Sequence, residues 1–410
     1  MTFAMELAPL DVAPVQPEQQ PLTAEELETQ VLKLTHELND PESWLHQNFY
    51  GALGVTPTDM VSVNRPAGGH RLQVKNETEH HLDLDGRDYN AATFKRRGAL
   101  LAALVAYRDN PELERFVTAS AGNHALGVAF AARTLGKEAH IYCRSDLSEA
   151  KEKKLLELGA ILHKNEVLDE EDDTLEYAMD RAMEAAGPQP DGSRPNHFIH
   201  PFDQVEVIAG QYTVGREIVA GLEAQQAAGH INLREDPVEI EAAVGGGGHA
   251  AGIAIAVKEA KDQGRLGQNV KVRGARIERG RQNKRCDGTA TNPGKLPMLI
   301  LCDKQYVENV DQVSDLELAD AMHELTGVFN RMAEPAGSLS YALAKKRAAA
   351  KLSPRPGQKP TTYISTLTGA NVTRETYGYY MDLRNAAYHE NLRSLGSLMT
   401  NRLTPSGVDA

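Results

Sequence analysis

The sequence predicts an α/β protein in which open, twisted, mainly parallel sheets are joined by crossover helices. Three observations carry that expectation. Short β-branched or aromatic runs alternate with amphipathic helical stretches from about residue 70 onward. Glycine-bearing turns separate several of these runs from the next helix, which is where ligands of such folds sit. And 410 residues with a hydrophobic share of 41% suffice for two domains, or one large α/β unit with additions.

Taken in order, residues 1–22 are rich in Pro, Gln and Glu and read as a flexible tail. Thr23 and Glu26 then form a capping box, and Leu27, Val31, Leu34 and Leu38 fall on one helical stripe. That helix packs either on the body or on a second subunit. Strands are expected at 71–75, 115–119, 139–143, 160–164, 239–244, 270–275, 306–310 and 361–368. The first five precede helical stretches, among them "GNHALGVAFAARTLG", "SEAKEKKLLELG" and "AAGIAIAVKEAK". Polar stretches at 83–92, 186–196 and 224–236 read as surface loops. No internal repeat is visible.

The net charge of −13 argues against nucleic acid or an anionic membrane as partner. No apolar run approaches the length of a membrane span, and the N-terminus lacks a signal-peptide pattern. Cys143, Cys286 and Cys302 lie far apart with no CxxC pair, so no disulfide framework and no metal site is expected, and a reducing cytoplasm is the simple reading.

Four turns and one lysine carry the chemistry. "VGGGGHAAG" (244–252) places Gly245, Gly246, Gly247 and Gly248 between a strand and a helix. Without Cβ atoms, successive N–H groups can converge on one anion, helped by the helix dipole, and four glycines exceed what a tight turn needs. The segment is neither a Walker loop nor GxGxxG, which disfavours a dinucleotide. "TASAGNHALG" (118–127) exposes amides at a helix start, suited to a carboxylate, though an ordinary turn capped by Asn123 reads equally well. "TLTGAN" (366–371) and "AEPAGSLSYALA" (333–344) are, taken alone, a strand-end turn and a helix start. In "TFKRRGA" (93–99), Lys95 follows Phe94 and precedes Arg96 and Arg97. It is either part of a solvated basic face or a reactive amine. A lysine, a phosphate cup and a carboxylate-binding loop at one sheet edge suggest pyridoxal phosphate holding an amino acid. Arg96 and Arg97 either help to depress the Lys95 amine or are simply solvated, and neither has an assigned catalytic role.

Together these residues resemble the fold-type II pyridoxal-phosphate enzymes, and among them the threonine/serine dehydratases (ammonia-lyases). "TFKRRGA", "SAGNHA", "HPFDQVEVIAGQ" (200–211), "VGGGGHAAG", "DGTAT" (287–291), "EPAG" and "TLTGANV" occur in the family's order over roughly residues 55–385. The resemblance implies a tryptophan synthase β-like fold of two open, mainly parallel sheets. It implies a catalytic region at 23–385, with a smaller subdomain of about 100–205 inserted in the larger one. A tail at 386–410 would remain, too short for an effector domain.

The resemblance also implies roles. Lys95 would hold pyridoxal 5'-phosphate as a Schiff base and then serve as proton-transfer base. Phe94 would pack on the ring, and Asn123 would bond its phenolic oxygen. Gly245, Gly246, Gly247 and Gly248 would cradle the phosphate, Thr368 would face the ring nitrogen, and Glu334 would lie near the ring edge. Ser120, Ala121, Gly122, Asn123 and His124 would close on the substrate carboxylate. The implied reaction is β-elimination of L-threonine or L-serine to 2-oxobutanoate or pyruvate plus ammonia, by a cytoplasmic homodimer or homotetramer. Isoleucine biosynthesis is one pathway such a lyase serves. Another β-substituted substrate (a hydroxyaspartate or diaminopropionate) and a catalytically idle binding protein are the alternatives. Ala121 stands where racemases carry a second serine, which disfavours racemisation. His249 is expected to face solvent rather than to touch phosphate. The basic run at 273–285 reads as a solvated face and weighs against the family's divalent-cation site.

Overall fold

The computed structural model describes residues 22–403, apart from 52–54, 56, 64–68, 79–92, 121, 168–169, 190–191, 279–283, 331, 352 and 356, and without the side chains of 391–403. The tail up to residue 21 and the loop at 83–92 therefore lie outside the described residues.

Two open sheets form the frame. The larger contains β1 (Met60–Val63), β2 (Arg71–Asn76), β7 (Val238–Ala243), β8 (Val270–Ile277), β9 (Val310–Val313) and β10 (Thr362–Leu367), in the order β1-β2-β10-β7-β8-β9. Only β1 runs antiparallel. The smaller contains β3 (Arg115–Ala119), β4 (Glu138–Cys143), β5 (Ile161–Lys164) and β6 (Asn196–Phe198), all parallel, in the order β5-β4-β3-β6.

The helices follow the expected alternation. α1 (Ala24–Asn39) and α2 (Trp44–Phe49) precede the sheets. α3 (Lys95–Asp109), α4 (Asn123–Thr134), α5 (Glu149–Glu157), α6 (Leu175–Ala185) and α7 (Val205–Ala227) surround and leave the smaller sheet. α8 (Gly248–Asp262), α9 (Lys295–Leu301), α10 (Asp315–Phe329), α11 (Pro335–Ala350) and α12 (Arg374–Leu403) complete the larger layer. The capping box is present: the Glu26 N–H donates to Thr23 Oγ1 at 3.2 Å, and the Thr23 N–H donates to Glu26 Oε2 at 2.8 Å. Leu27, Val31 and Leu38 are fully buried in the main core. The buried Glu28 accepts from Tyr306 Oη at 2.6 Å and pairs with Lys258, so α1 is docked on the body of its own chain.

Several expectations need correction. The run at 306–310 is a turn, with Tyr306 and Val307 buried as core residues, and β9 begins only at Val310. Its apolar character serves packing, with the Tyr306 hydroxyl satisfied by Glu28. The antiparallel edge strand β1 has no separate signal in the sequence. The stretch at 186–196 ends in the short β6, and α7 runs through Ala227 into the loop expected at 224–236. The tail expected at 386–410 begins within α12, whose backbone is helical as far as Leu403. Among the described residues, no helix is long and apolar enough to cross a membrane.

β7 illustrates how the larger sheet tolerates charge. All six residues are buried, yet two are glutamates two positions apart, hence on one face. They meet α11 and β8: Arg347 lies 2.6 Å and Lys351 2.7 Å from Glu239, and Arg273 lies 3.2 Å from it. Burial, and then Glu239, push the Glu241 carboxyl up to about 8. Arg273 is thus part of an internal ion cluster, not of a solvated face. At the other end of the basic run, Arg285 stacks on Tyr379 at 4.1 Å.

Candidate active site

Lys95 opens α3 beside the turn that ends β10. Thr93 pairs with Gly369 as an isolated bridge, and the Phe94 N–H donates to the Thr368 carbonyl at 3.2 Å. The Lys95 N–H donates to Thr93 Oγ1 at 3.2 Å. These bonds hold the first turn of α3 against the carboxyl end of β10. The Lys95 amine lies 5.3 Å from the Phe94 ring centroid and 5.9 Å from that of Phe202, and donates to the Pro201 carbonyl at 2.7 Å. Parts of the side chain keep some exposure, while protein atoms enclose the amine. Burial pulls it down from 10.5 to about 8. At pH 7 that raises the uncharged fraction by about 300-fold.

The next two residues point elsewhere. Arg96 lies 3.8 Å above the Phe130 ring and is held down to about 9, first by burial and then by Arg97. Arg97 is fully buried, 2.8 Å from Glu77 and 2.6 Å from Glu217. Burial lowers its guanidinium, but Glu217 and Glu77 more than offset this. Lys75 joins the same network, 2.6 Å from Glu217. Of the two readings of these arginines, solvation is therefore the one that fails. α3 is sandwiched between α4 and α7, so cations next to Lys95 must point into the body and find carboxylates there.

The four glycines lie between β7 and α8, all of them buried. Gly247 caps α8 at φ 88°, a left-handed conformation that glycine adopts without strain. A Cβ on Gly246 would fall inside the Phe202 ring. Phe202 is itself held by His200, whose Nδ1 accepts from the Phe202 and Asp203 amides at 3.2 and 2.8 Å. Burial holds the His200 imidazole down to about 4, so Nδ1 stays free to accept. The result is a close-walled turn at the N-terminus of a 15-residue helix, beside the Lys95 amine.

His249 neither faces solvent nor leaves the site. Its ring lies 4.5 Å from that of Phe94, and Nε2 is 3.0 Å from Thr366 Oγ1. Burial drives it down to about 3. The first turn of α8 packs on β10, so position 249 points inward.

On the opposite wall, Gly122 caps α4, and its N–H donates to Ser120 Oγ at 3.2 Å. Ala121 lies outside the described residues. Asn123 Nδ2 donates to Glu334 Oε1 at 2.8 Å, and Asn123 Oδ1 accepts from Asn371 Nδ2 at 2.8 Å. Glu334 also accepts from the Asn371 N–H at 3.0 Å, and its own N–H donates to the Gly369 carbonyl at 3.3 Å. The His124 side chain does not belong to this wall. It is buried, with Nε2 3.2 Å from the Ile199 carbonyl, and burial keeps its imidazole well below the usual range. Position 124 can offer only its backbone to a ligand at the head of α4.

Lys95, Phe94, Asn123, Glu334, Thr368 and the glycine turn thus converge, although they come from five separate stretches of chain. The sequence reading assigned no role to Phe202, the Pro201 carbonyl, Asn371 or Lys154. Lys154, on α5, donates to Asn371 Oδ1 at 3.0 Å. In the sequence it is one of three lysines on a charged helix, and nothing there distinguishes it from a solvated residue.

This donor set fits a phosphorylated aldehyde cofactor: an enclosed, partly uncharged amine, aromatic faces and a glycine turn on a helix N-terminus. Comparison with known proteins agrees. A family model described as "Pyridoxal-phosphate dependent enzyme" matches residues 52–368. The chain is 28% identical over 348 residues to the biosynthetic L-threonine dehydratase of Pasteurella multocida, covering 82% of this chain and 60% of that protein. It is 33% identical over 263 residues to the L-threonine ammonia-lyase of Thermotoga maritima, covering 61% and 59%. It therefore spans about 60% of the length of these curated relatives. In fold it is similar to the processed form of threonine deaminase isoform 2 from Solanum lycopersicum, with a TM-score of 0.63 at 20% identity, over 92% of this chain and 98% of that one. With the family match spanning most of the chain, this protein belongs to the pyridoxal-phosphate-dependent enzymes of fold type II.

Proposed function

We propose that this enzyme deaminates L-threonine or L-serine by β-elimination, giving 2-oxobutanoate or pyruvate plus ammonia. The observation that carries the proposal is the Lys95 amine, enclosed beside Phe94, Phe202 and the glycine turn and pulled down to about 8. Bound there, pyridoxal 5'-phosphate supplies an aldehyde for covalent attachment and an electron sink for the substrate α-carbon.

The chain's own residues do the rest. Gly245, Gly246, Gly247 and Gly248 seat the phosphate on the α8 dipole. Phe94 would pack on the ring, Asn123 would donate to the ring oxygen, and Glu334 would border the ring edge. The backbone at Ser120, Gly122, Asn123 and His124 would grip the substrate carboxylate at the head of α4. Lys95 takes the α-proton, the β-hydroxyl leaves as water on gaining a proton, and the resulting enamine becomes an imine that water hydrolyses to 2-oxo acid and ammonia. Thr368 would face the ring nitrogen with a neutral hydroxyl, which cannot hold a positive charge there as a carboxylate would. A neutral partner there would favour prompt loss of the β-substituent.

The test is 2-oxo acid formation from threonine, serine, 3-hydroxyaspartate and 2,3-diaminopropionate, by wild type and Lys95→Ala. We expect turnover of the first two, and a loss of about 10²- to 10⁴-fold in the variant. Faster turnover of the others would reassign the leaving group. No 2-oxo acid from any substrate would favour an idle binding protein.

A further inference from the structure

We propose that Lys154 and Asn371 are positioning residues that fix the direction in which Asn123 donates its hydrogen bond to the cofactor ring oxygen. The proposal rests on the reading of Asn123 given under Proposed function. Four side chains form one line across the mouth of the site. Lys154 Nζ donates to Asn371 Oδ1 at 3.0 Å, Asn371 Nδ2 to Asn123 Oδ1 at 2.8 Å, and Asn123 Nδ2 to Glu334 Oε1 at 2.8 Å. The line crosses between the two sheets: Lys154 and Asn123 come from α5 and α4, Asn371 and Glu334 from the turns beside β10 and α11.

A carboxamide can present either its oxygen or its nitrogen, so an isolated asparagine does not determine which way it donates. Here both ends of the line are committed. The lysine ammonium carries donors and no lone pair, so Asn371 must turn Oδ1 towards it. That leaves the Asn371 NH₂ facing Asn123, which must answer with Oδ1. At the far end, both Glu334 oxygens accept N–H groups, from Asn123 and from the Asn371 backbone. Asn123 is therefore held with its NH₂ towards the site from both directions. Its nitrogen carries two hydrogens, so one can remain on Glu334 while the other meets the ring oxygen. Reversing any member of the line would set oxygen against oxygen at the next one.

The discriminating variant is Asn371→Asp, which keeps shape, and in which the carboxylate still accepts from Lys154 but cannot donate to Asn123. We expect weaker cofactor binding by about 10- to 100-fold. We also expect a higher pH midpoint for the visible band of the lysine-bound cofactor, because a donor stabilises the anion of an oxygen. Lys154→Met should move both readouts the same way by less, and Lys154→Arg should restore them. If Asn371→Asp does not fold, the Lys154 pair decides alone, since that side chain is half-buried on a surface helix. Variants whose band, midpoint and cofactor affinity match wild type would overturn the relay. A wild-type chain that takes up no cofactor would instead end the functional reading, and the relay with it.

Discussion

The sharpest consequence of the site concerns Lys95 in the cofactor-free protein. Its amine is pulled from 10.5 to about 8 by burial. Keeping it charged at pH 7 in the folded chain therefore costs about 3 kcal/mol relative to the unfolded chain, an upper figure because the side chain keeps some exposure. Lys95→Met removes the charge and keeps the length of the side chain. It also removes the hydrogen bond to the Pro201 carbonyl, a loss of about 1 kcal/mol. The variant should thus be about 2 kcal/mol more stable at pH 7. Between about pH 8 and 10.5 the unfolded lysine binds more protons than the folded one, so wild-type stability rises with pH in that window. Above it the charge effect is gone and the variant should be about 1 kcal/mol the less stable of the two. Urea unfolding of cofactor-free wild type and variant at pH 7, 9 and 10.5 reads the difference directly, because titrations common to both proteins cancel. A variant less stable at pH 7, with a difference that ignores pH, would refute the burial argument.

Other expectations follow from the same geometry. Gly247→Ala forces a side chain into φ 88°, at about 1–2 kcal/mol, and brings its Cβ to 2.8 Å from Pro297 Cβ, so the urea midpoint should fall and cofactor affinity with it. Arg97→Met leaves the buried Glu77 and Glu217 with Lys75 in place of two cations and should destabilise by about 3–5 kcal/mol; adding Glu217→Gln should recover part of that, and simple additivity would show that the pair is uncoupled. Cys302 is exposed while Cys143 and Cys286 are buried, and burial raises the Cys143 thiol further, so a thiol reagent should titrate one cysteine quickly in the native enzyme and three after unfolding.

The strand-and-helix alternation was legible because each buried parallel strand must be a short apolar run and each crossover helix an amphipathic one. β3, β4, β7 and β10 lie where those runs predict. β1 and β6 escaped because four and three residues leave little periodicity to separate a strand from a loop, whereas the equally short β5 was marked by the helical stretches on either side of it. Tyr306 and Val307 misled for the converse reason: apolar residues also mark a turn that packs against a neighbouring helix. Lys95 and the glycine turn stood out in the sequence because a lysine after an aromatic residue and four successive glycines are local patterns, and the structure sets both against Phe202. The inward direction of Arg97, His249 and His124 did not stand out, since a charged or polar side chain gives no sign in one dimension of whether it points to water or to a buried partner.

The sequence alone determined the alternation of strand and helix, the turn with four glycines and the lysine after a phenylalanine, because backbone sterics and local periodicity act over a few residues. Only the tertiary structure decided the company those groups keep. Pro201 and Phe202 enclose the amine, Glu77 and Glu217 neutralise Arg97, and Lys154 reaches Asn371 across 217 positions of chain. Burial and pairing set charge and orientation, and both depend on which distant segments the fold brings together.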